Sequence, residues 1–436
     1  MVDQKCFAAL KRGVGYWNKW RANHFHHPYD LRGINLSNRV LLGINLAGVN
    51  LAGATLVKSN LCGANLDGVD LTGANLTEAN LSGASISGGN LTGAILIRVN
   101  YRGAELIGAN LSLANLAGAD LRVVNFSAAE LSGANFSQAN LSGVNFLGAN
   151  LTQANFQLAE LDGANFNQAN LTQANLTRAN LTRAQFEQGN LTEANLSQGI
   201  LQQANLFQAD LTEANLAQAN LREANLSQAE LTAAYLANAS LVAACLKKAN
   251  LTQADLTQAD LTKANLTEAN LRQAKAWKTK FNQCHLTGVC LENLRINLQT
   301  SFEQVICKHL YLAPNRRNRI PYDRKQRLSL KEFKSTIQNL IGTVEVRFEH
   351  KIDWTLLLQA YQEVNLKYQS QTITLSSIEV QTNSQFTLKV KVIPQQEINA
   401  IIKYFQHQYK LLLLANSKLS YPAKANQESS NSYRQN

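Results

Sequence analysis

The sequence predicts a mainly β solenoid followed by a small α+β domain, and three observations carry that prediction. A large apolar residue recurs every five positions across about 270 of the 436 residues. A small residue stands two positions before each of them. The last third of the chain loses this rhythm. The fifth-residue series from Leu31 to Ile296 has 54 members, and all but Ala276 are Leu, Phe, Ile or Tyr. The small-residue series from Val49 to Ala274 has 46 members, of which 37 are Ala and the rest Val, Gly or Ser. Asn, Asp or Glu usually sits between the two, giving an A-N-L-x-x unit, as in Ala134-Asn135-Phe136-Ser137-Gln138.

A period of five fits neither a helix nor a flat strand. On an α-helix five steps rotate by a net of about 140°, so the leucines would scatter around the axis. On a strand an odd step flips the side chain to the opposite face. Every Leu can be buried only if the chain turns a corner once per unit, with Leu and Ala inside and the other three positions outside. The number of sides follows from the aromatics. Phe126, Phe136, Phe146, Phe156, Phe166 and Phe186 are separated by multiples of ten, with Leu at the alternate positions. Phe stays over Phe only if the coil has an even number of sides, and these six rings are the expected structural core.

The A-N-L-x-x pattern resembles the pentapeptide-repeat family. The resemblance implies a right-handed quadrilateral β-helix of about 20 residues per coil. Fifty-four units then make about 13 coils, and a rod of roughly 65 Å at the ~4.8 Å strand spacing.

Departures from the pattern predict the ends. Arg39 falls in an inward slot, and Ile34 and Ile44 overfill theirs, so the first coils are expected to be irregular. Lys275-Ala276-Trp277 interrupts the far end, and the inward slots Thr279, Cys284, Val289 and Leu294 predict a distorted final coil. Gly is frequent on the outer turn position from Gly43 to Gly163, and Gln and Glu replace it later. This suggests a change of corner geometry along the rod. No Pro occurs between Pro28 and Pro314, as hydrogen-bonded coils require.

The domain reading is residues 1–29 as an N-terminal capping helix and linker, 30–300 as the β-helix, 301–415 as the C-terminal α+β domain, and 416–436 as a disordered tail. Leu10, Val14, Trp17 and Trp20 space like one amphipathic helix that covers the open edge of the first coil. Its Lys, Arg and Trp content also suits a membrane surface. The block from Gly13 to Arg21 resembles leader helices of some cyanobacterial members of the family. Beyond 300 the sequence predicts a strand at 305–312, a basic loop at 314–328 and a helix at 330–341. Strand 343–349 and a helix at 354–366 capped by Asp353 follow. Strands at 371–380 and 385–393 and a helix at 394–414 complete the domain.

The net charge of +11 is unevenly distributed. Residues 1–29 carry +4, 30–300 carry −2 and 301–436 carry +9. The rod is electrically neutral, and both ends are basic. The basic ends admit an acidic partner such as nucleic acid or an anionic membrane. Resemblance to the family raises another reading, since some members mimic duplex DNA and bind type II topoisomerases. That mimicry needs a continuous acidic stripe, which a rod of −2 lacks.

Catalysis is not expected. The rod has no His between 28 and 284, and no nucleophile, phosphate-loop or dinucleotide motif appears. The sequence calls for no cofactor, no metal and no catalytic residue. His24-x-His26-His27 is read as an incidental run. Cys284 falls in an inward slot and Cys290 in an outward one, so they cannot share a zinc ion. Six sparse cysteines without a C-x-x-C pair fit a reducing compartment, and a cytoplasmic location is the expectation. The candidate contact residues are Arg316, Arg317, Arg319, Arg324, Lys325 and Arg327, flanked by Tyr311 and Tyr322. Some of a second basic cluster, Lys247 to Lys280, is expected to pair across coils, as Lys248 with Glu268 20 residues on. The function expected is a non-catalytic interaction module whose partner is another protein, with nucleic acid or an anionic membrane as the alternative.

Overall fold

The computed structural model describes residues 3–24, 27, 29–297, 299–313, 317–341, 343–348, 352–368, 372–382, 385–393 and 398–419. These residues divide between two compact units, Met1–Phe333 and Lys334–Asn436.

The first unit is a four-sided coil. Single parallel β-bridges join residues 20 apart, from Asp30↔Asn50 to Lys275↔Arg295, with one bridge every five residues. Each bridge is one side, so four sides close a coil. One unit explains why the motif repeats. Asn150 N–H donates to Ala129 O (3.0 Å), Leu151 N–H to Asn170 O (2.7 Å) and Gln153 N–H to Thr172 O (2.9 Å). Ala154 N–H closes the corner on Leu151 O at 3.0 Å. Only the Thr152 N–H lacks a backbone partner, and the Asn150 side chain supplies one through Oδ1 at 3.2 Å. The Thr152 hydroxyl donates to the same oxygen at 2.7 Å. All five backbone donors are thereby satisfied, as a partly buried backbone demands. Asn and Thr are therefore part of the wall's own hydrogen bonding.

Leu and Ala fill the interior. Phe126, Phe136, Phe146, Phe156, Phe166 and Phe186 are all fully buried, as expected. Rings four units, or one coil, apart stack across successive coils at 4.8–5.3 Å, as in Phe136–Phe156 and Phe126–Phe146. Consecutive ones meet edge to face at about 6 Å. The corner geometry does not change where Gln replaces Gly. Gly163 has φ +65° and Gln208 φ +56°, both left-handed. Gly suits that conformation, since it has no Cβ to clash with the following carbonyl. Where Gln takes the position, side-chain amides link successive coils, as from Gln188 to Gln208 (3.2 Å) and from Gln208 to Gln228 (3.0 Å).

The first coils are regular, contrary to the expectation from Arg39. Ile34 and Ile44 are buried, and the Arg39 side chain is exposed while its backbone keeps the corner bond to Leu36 O. The predicted single cap helix is two helices, α1 (Gln4–Lys11) and α2 (Val14–Ala22), because Gly13 at φ +96° breaks the run. Together they cover the open edge. Trp17 Nε1 donates to Asn45 O at 2.7 Å, Arg21 Nη2 to Ala47 O at 2.5 Å and Asn18 Nδ2 to Gly43 O at 3.1 Å. Cap side chains thus occupy edge carbonyls that have no preceding coil.

At the other end the ladder runs past 300. One residue is inserted after Arg295, so the bridges become Lys280↔Ser301 and His285↔Ile306. Strand β1 (Val289–Cys290) then pairs in parallel with β2 (Leu310–Ala313), which pairs antiparallel with β3 (Arg317–Ile320). The expected boundary at 300–301 is thus displaced, because coil hydrogen bonding continues once the five-residue spelling has gone. The strand expected at 305–312 begins at 310, and part of the expected basic loop is β3. Phe302 stacks on Phe281 at 4.9 Å, and Phe333 meets Phe302 edge-on at 5.9 Å. Phe333 belongs to the first turn of α3 (Leu330–Ile341), so apolar rings close the stack.

The second unit is a three-stranded antiparallel sheet with helices. Strands β4 (Thr343–Phe348), β5 (Thr372–Thr382) and β6 (Gln385–Ile393) lie in the order β4-β6-β5. Helices α4 (Trp354–Lys367) and α5 (Ile398–Leu419) supply the rest of a core built on Phe348, Leu357, Phe386, Leu388, Phe405 and Tyr409. Asp353 caps α4, its Oδ1 accepting from Thr355 and Leu356 N–H at 3.0 and 3.1 Å. The α5 helix reaches Leu419, beyond the predicted end at 414, so the first residues of the expected disordered tail are helical. Residues 420–436 of that tail lie outside the described residues.

Candidate partner-contact cleft

The side chains that could meet a partner gather where the coil ends. Strand β2 is held on one side by the last coil and on the other by β3, so Tyr311 stands opposite Arg319. His309, two residues before Tyr311, meets its ring edge-on at 5.5 Å. After β3 the chain turns, and Arg319 Nη1 holds that turn by donating to the carbonyls of Pro321 and of Asp323 (2.9 Å to the latter). The turn displays Tyr322, 94% exposed, beside an exposed Arg324. His309, Tyr311, Asn318, Arg319, Tyr322 and Arg324 line an open cleft of about 690 Å³.

A second cleft of about 210 Å³ continues from it, sharing His309 and Tyr311 and adding Thr267, Glu268 and Thr287. Gly288 keeps this part open. Its φ is +77°, and a Cβ there would lie 3.2 Å from Glu268 Cγ and 3.4 Å from His309 Nε2. Two basic side chains thus stand at one end of a groove with aromatic walls, and a carboxylate at the other. The arrangement offers cation, stacking and hydrogen-bond donors to a ligand.

The expected basic cluster is only partly assembled. Arg319 and Arg324 reach the cleft, whereas Arg317, Lys325 and Arg327 are exposed and do not line it. Arg316 lies outside the described residues. His309 and Asn318 were not singled out by the sequence. The available signal was the alternation of His309 with Tyr311, which puts both on one face of a strand. Two lysines of the second basic cluster pair across coils: Lys275–Asp255 at 3.0 Å and Lys280–Asp260 at 3.7 Å. Arg272 pairs likewise with Glu292 at 3.1 Å. Asp255 and Asp260 titrate below the ordinary carboxylate range. Burial opposes that shift, but Thr257 or Thr262 and the paired lysine outweigh it.

Cys284 is fully buried, with its thiol on Leu261 O at 2.9 Å, and burial pushes it up to about 12. His285 is exposed and Cys290 half-buried, its thiol toward Ala313 O, so these residues face different sides of the wall as expected.

Comparison with known proteins matches this architecture. A family model described as Pentapeptide repeat region matches residues 90–176 and 119–196. Another, described as Pentapeptide repeats (8 copies), matches 30–68, 56–93, 190–228, 200–236, 234–273, 249–288 and 264–297. Together these span most of the coil and more than half of the chain. The chain belongs to the pentapeptide-repeat family. Among solved structures it is similar to HetL, a pentapeptide-repeat protein involved in heterocyst differentiation regulation from the cyanobacterium Nostoc sp. strain PCC 7120. Identity is 28% over 56% of this chain and 90% of that one, with a TM-score of 0.29. It is similar to QnrB1, a plasmid-mediated fluoroquinolone resistance protein, at 18% identity over 50% of this chain and 89% of that one, TM-score 0.22. It is also similar to Rfr23 from the cyanobacterium Cyanothece 51142, at 28% identity over 30% of this chain and 91% of that one, TM-score 0.16. No curated protein matches the chain.

Proposed function

We propose that the protein is a non-catalytic interaction module: a rigid, right-handed, four-sided rod that presents a partner-contact cleft at its C-terminal end. The single observation that carries this reading is the contrast between wall and cleft. Along the wall, Asn and Thr side chains are engaged in holding the coil together, as at Asn150 and Thr152. At the cleft, Tyr322 is almost fully exposed beside Arg324, with Tyr311 and His309 behind. An exposed aromatic beside an arginine is a common composition for the anchor of a protein interface. The partner is another protein, and the six free thiols agree with a cytoplasmic setting.

A second reading, contact with nucleic acid or an anionic membrane, is favoured by the same two arginines. Duplex DNA mimicry finds less support, because the rod over 30–300 carries 17 basic side chains against 19 acidic ones. The test uses the full chain and a Tyr322→Ala/Arg324→Glu variant, both positions being exposed. Protein capture lost in the variant and little changed by salt supports the first reading. Binding to duplex DNA or phosphatidylserine vesicles that collapses as salt rises supports the second. Capture unchanged in the variant refutes the cleft as the contact.

A further inference from the structure

The cap holds a second grouping of side chains, which the order of residues in the sequence conceals. Asp3, Cys6 and His27 converge, each offering one ligand atom, and these atoms lie within 4.8 Å of one another. The Cys6 thiol is 3.8 Å from His27 Nδ1, and His27 Nε2 is 3.4 Å from Asp3 Oδ2. We propose that these three side chains form a binding site for a single zinc-class divalent cation.

The donor set selects the metal. A thiolate with an imidazole and one carboxylate suits zinc rather than magnesium or calcium, which prefer all-oxygen shells. Zinc lies about 2.3 Å from sulfur and about 2.0–2.1 Å from nitrogen or oxygen. Neighbouring ligand atoms around a tetrahedral ion then stand about 3.3–3.6 Å apart, so the three ligand atoms here, within 4.8 Å of one another, would close in on the ion. His27 meets its two neighbours with different nitrogens, so an ion would take one of them after a modest rotation of the ring. Cys6 is deprotonated on binding, its proton passing to solvent, and water completes the fourth position.

The scaffold places these groups independently of any ion. Asp3 is the N-cap of α1, and its Oδ1 accepts from Lys5 and Cys6 N–H at 2.8 and 3.1 Å, which leaves Oδ2 turned toward His27. Cys6 is one turn further along and fully buried. The His27 ring is packed against Trp20 and Tyr29, with centroids 5.7 and 5.9 Å away. The Asp3 and His27 side chains remain 23% and 21% exposed, so an ion has a way in. His24 is directed elsewhere: its Nδ1 faces Trp20 O at 2.8 Å and its ring stacks on Trp20. His26 lies outside the described residues. A bound ion would tie the start of α1 to the linker just before the first coil, where Asp3 N–H already donates to Asp30 O at 2.9 Å.

The experiment uses the full chain stripped with a chelator and titrated with cobalt chloride, whose absorption reports thiolate ligation. One equivalent of cobalt should produce a thiolate-to-metal charge-transfer band that one equivalent of zinc removes. Cys6→Ser should abolish the band. His27→Gln should weaken cobalt and zinc binding at least about tenfold, and His24→Gln should leave both unchanged. Zinc should raise the melting temperature of the parent chain and not that of His27→Gln. If Cys6→Ser does not fold, the His27→Gln arm decides. A cobalt complex without the charge-transfer band, a band retained in Cys6→Ser, or equal affinity in His27→Gln overturns the proposal.

Discussion

Removing one ring from the centre of the stack tests the account of the rod most directly. Phe146 is fully buried. Its ring is stacked on Phe126 and Phe166 at 5.3 and 5.1 Å, and Phe136 and Phe156 meet it edge-on at 5.9 Å. Truncating a core Phe to Ala costs about 3–5 kcal/mol, through lost transfer energy and the cavity left behind. Four aromatic partners, each pair worth about 0.5–1.5 kcal/mol beyond its burial, place Phe146→Ala at the upper end, about 5 kcal/mol. The comparison is its neighbour. Asn145→Asp reads as nearly silent from the outward position alone, but the structure gives it a cost. Asn145 Nδ2 donates to Asn125 Oδ1 (3.1 Å) and to Ser127 Oγ (2.7 Å), and an aspartate cannot. Its Oδ1 still accepts from Leu147 N–H, so the loss is about 1 kcal/mol. Coils contact only their neighbours, so cooperativity across the whole rod is not assured. Native-state hydrogen exchange is therefore the assay. Phe146→Ala should lower protection of the amides from 141 to 151 by about three and a half decades, since about 1.4 kcal/mol is tenfold. Asn145→Asp should lower it by about one decade or less. A Phe146→Ala effect below about 1 kcal/mol, or equal effects of the two, would refute the inward and outward assignment.

Three further outcomes follow from the same geometry. Burial raises the thiols of Cys284 and Cys307 to about 12, so their neutral forms stabilise the fold fully below the unfolded thiol value, and that contribution is lost as pH rises toward 12. Denaturant midpoints of the parent chain should fall between about pH 9 and 12, and a Cys284→Ala/Cys307→Ala variant should show a shallower fall; parallel curves would contradict this. Asp353→Ala removes the cap of α4 and should cost about 1 kcal/mol, seen as a lower transition in the ellipticity of the second unit while coil amides keep their protection. At a corner with nothing within 4 Å of an added Cβ, Gly148→Ala should cost about 1 kcal/mol through its φ of +64° alone. An unchanged unfolding midpoint would show that the corner relaxes freely.

The coil was legible because its constraint is local and repeated. One inward Leu, one inward Ala and one Asn that serves its own corner are needed at every side, so the requirement is written dozens of times. The even number of sides could be read from Phe126 to Phe186 for the same reason. The corner position misled, because a change from Gly to Gln was read as a change of geometry. Gln208 adopts the same left-handed turn as Gly163, and the linked amides of Gln188, Gln208 and Gln228 accompany the replacement. The far end was misplaced because its hydrogen bonds outlast its spelling: Ser301 and Ile306 bridge with no A-N-L unit around them. The cleft was half legible. Arg319 and Arg324 stood out by charge, but the contribution of His309 depends on β2 lying against the last coil. The cap grouping was hidden altogether, since Asp3 and Cys6 meet a histidine more than twenty positions away.

The bridge between residues 20 apart also makes the coil behave like a reading frame. Excising 131–150 would join Glu130 to Leu151 and leave every later side on the column it occupied, so a rod one storey shorter should still close. Excising only 146–150 keeps the local spelling perfect, yet it turns everything downstream by one side. Phe156 and Phe166 would then come to rest under leucines, and Asn155 Nδ2 would be parted from Asn135 Oδ1, to which it now donates at 3.2 Å. Length in such a chain can change gradually only in steps of a full turn. Any other step is a frameshift in space, invisible in the five-letter motif and felt by every column after it.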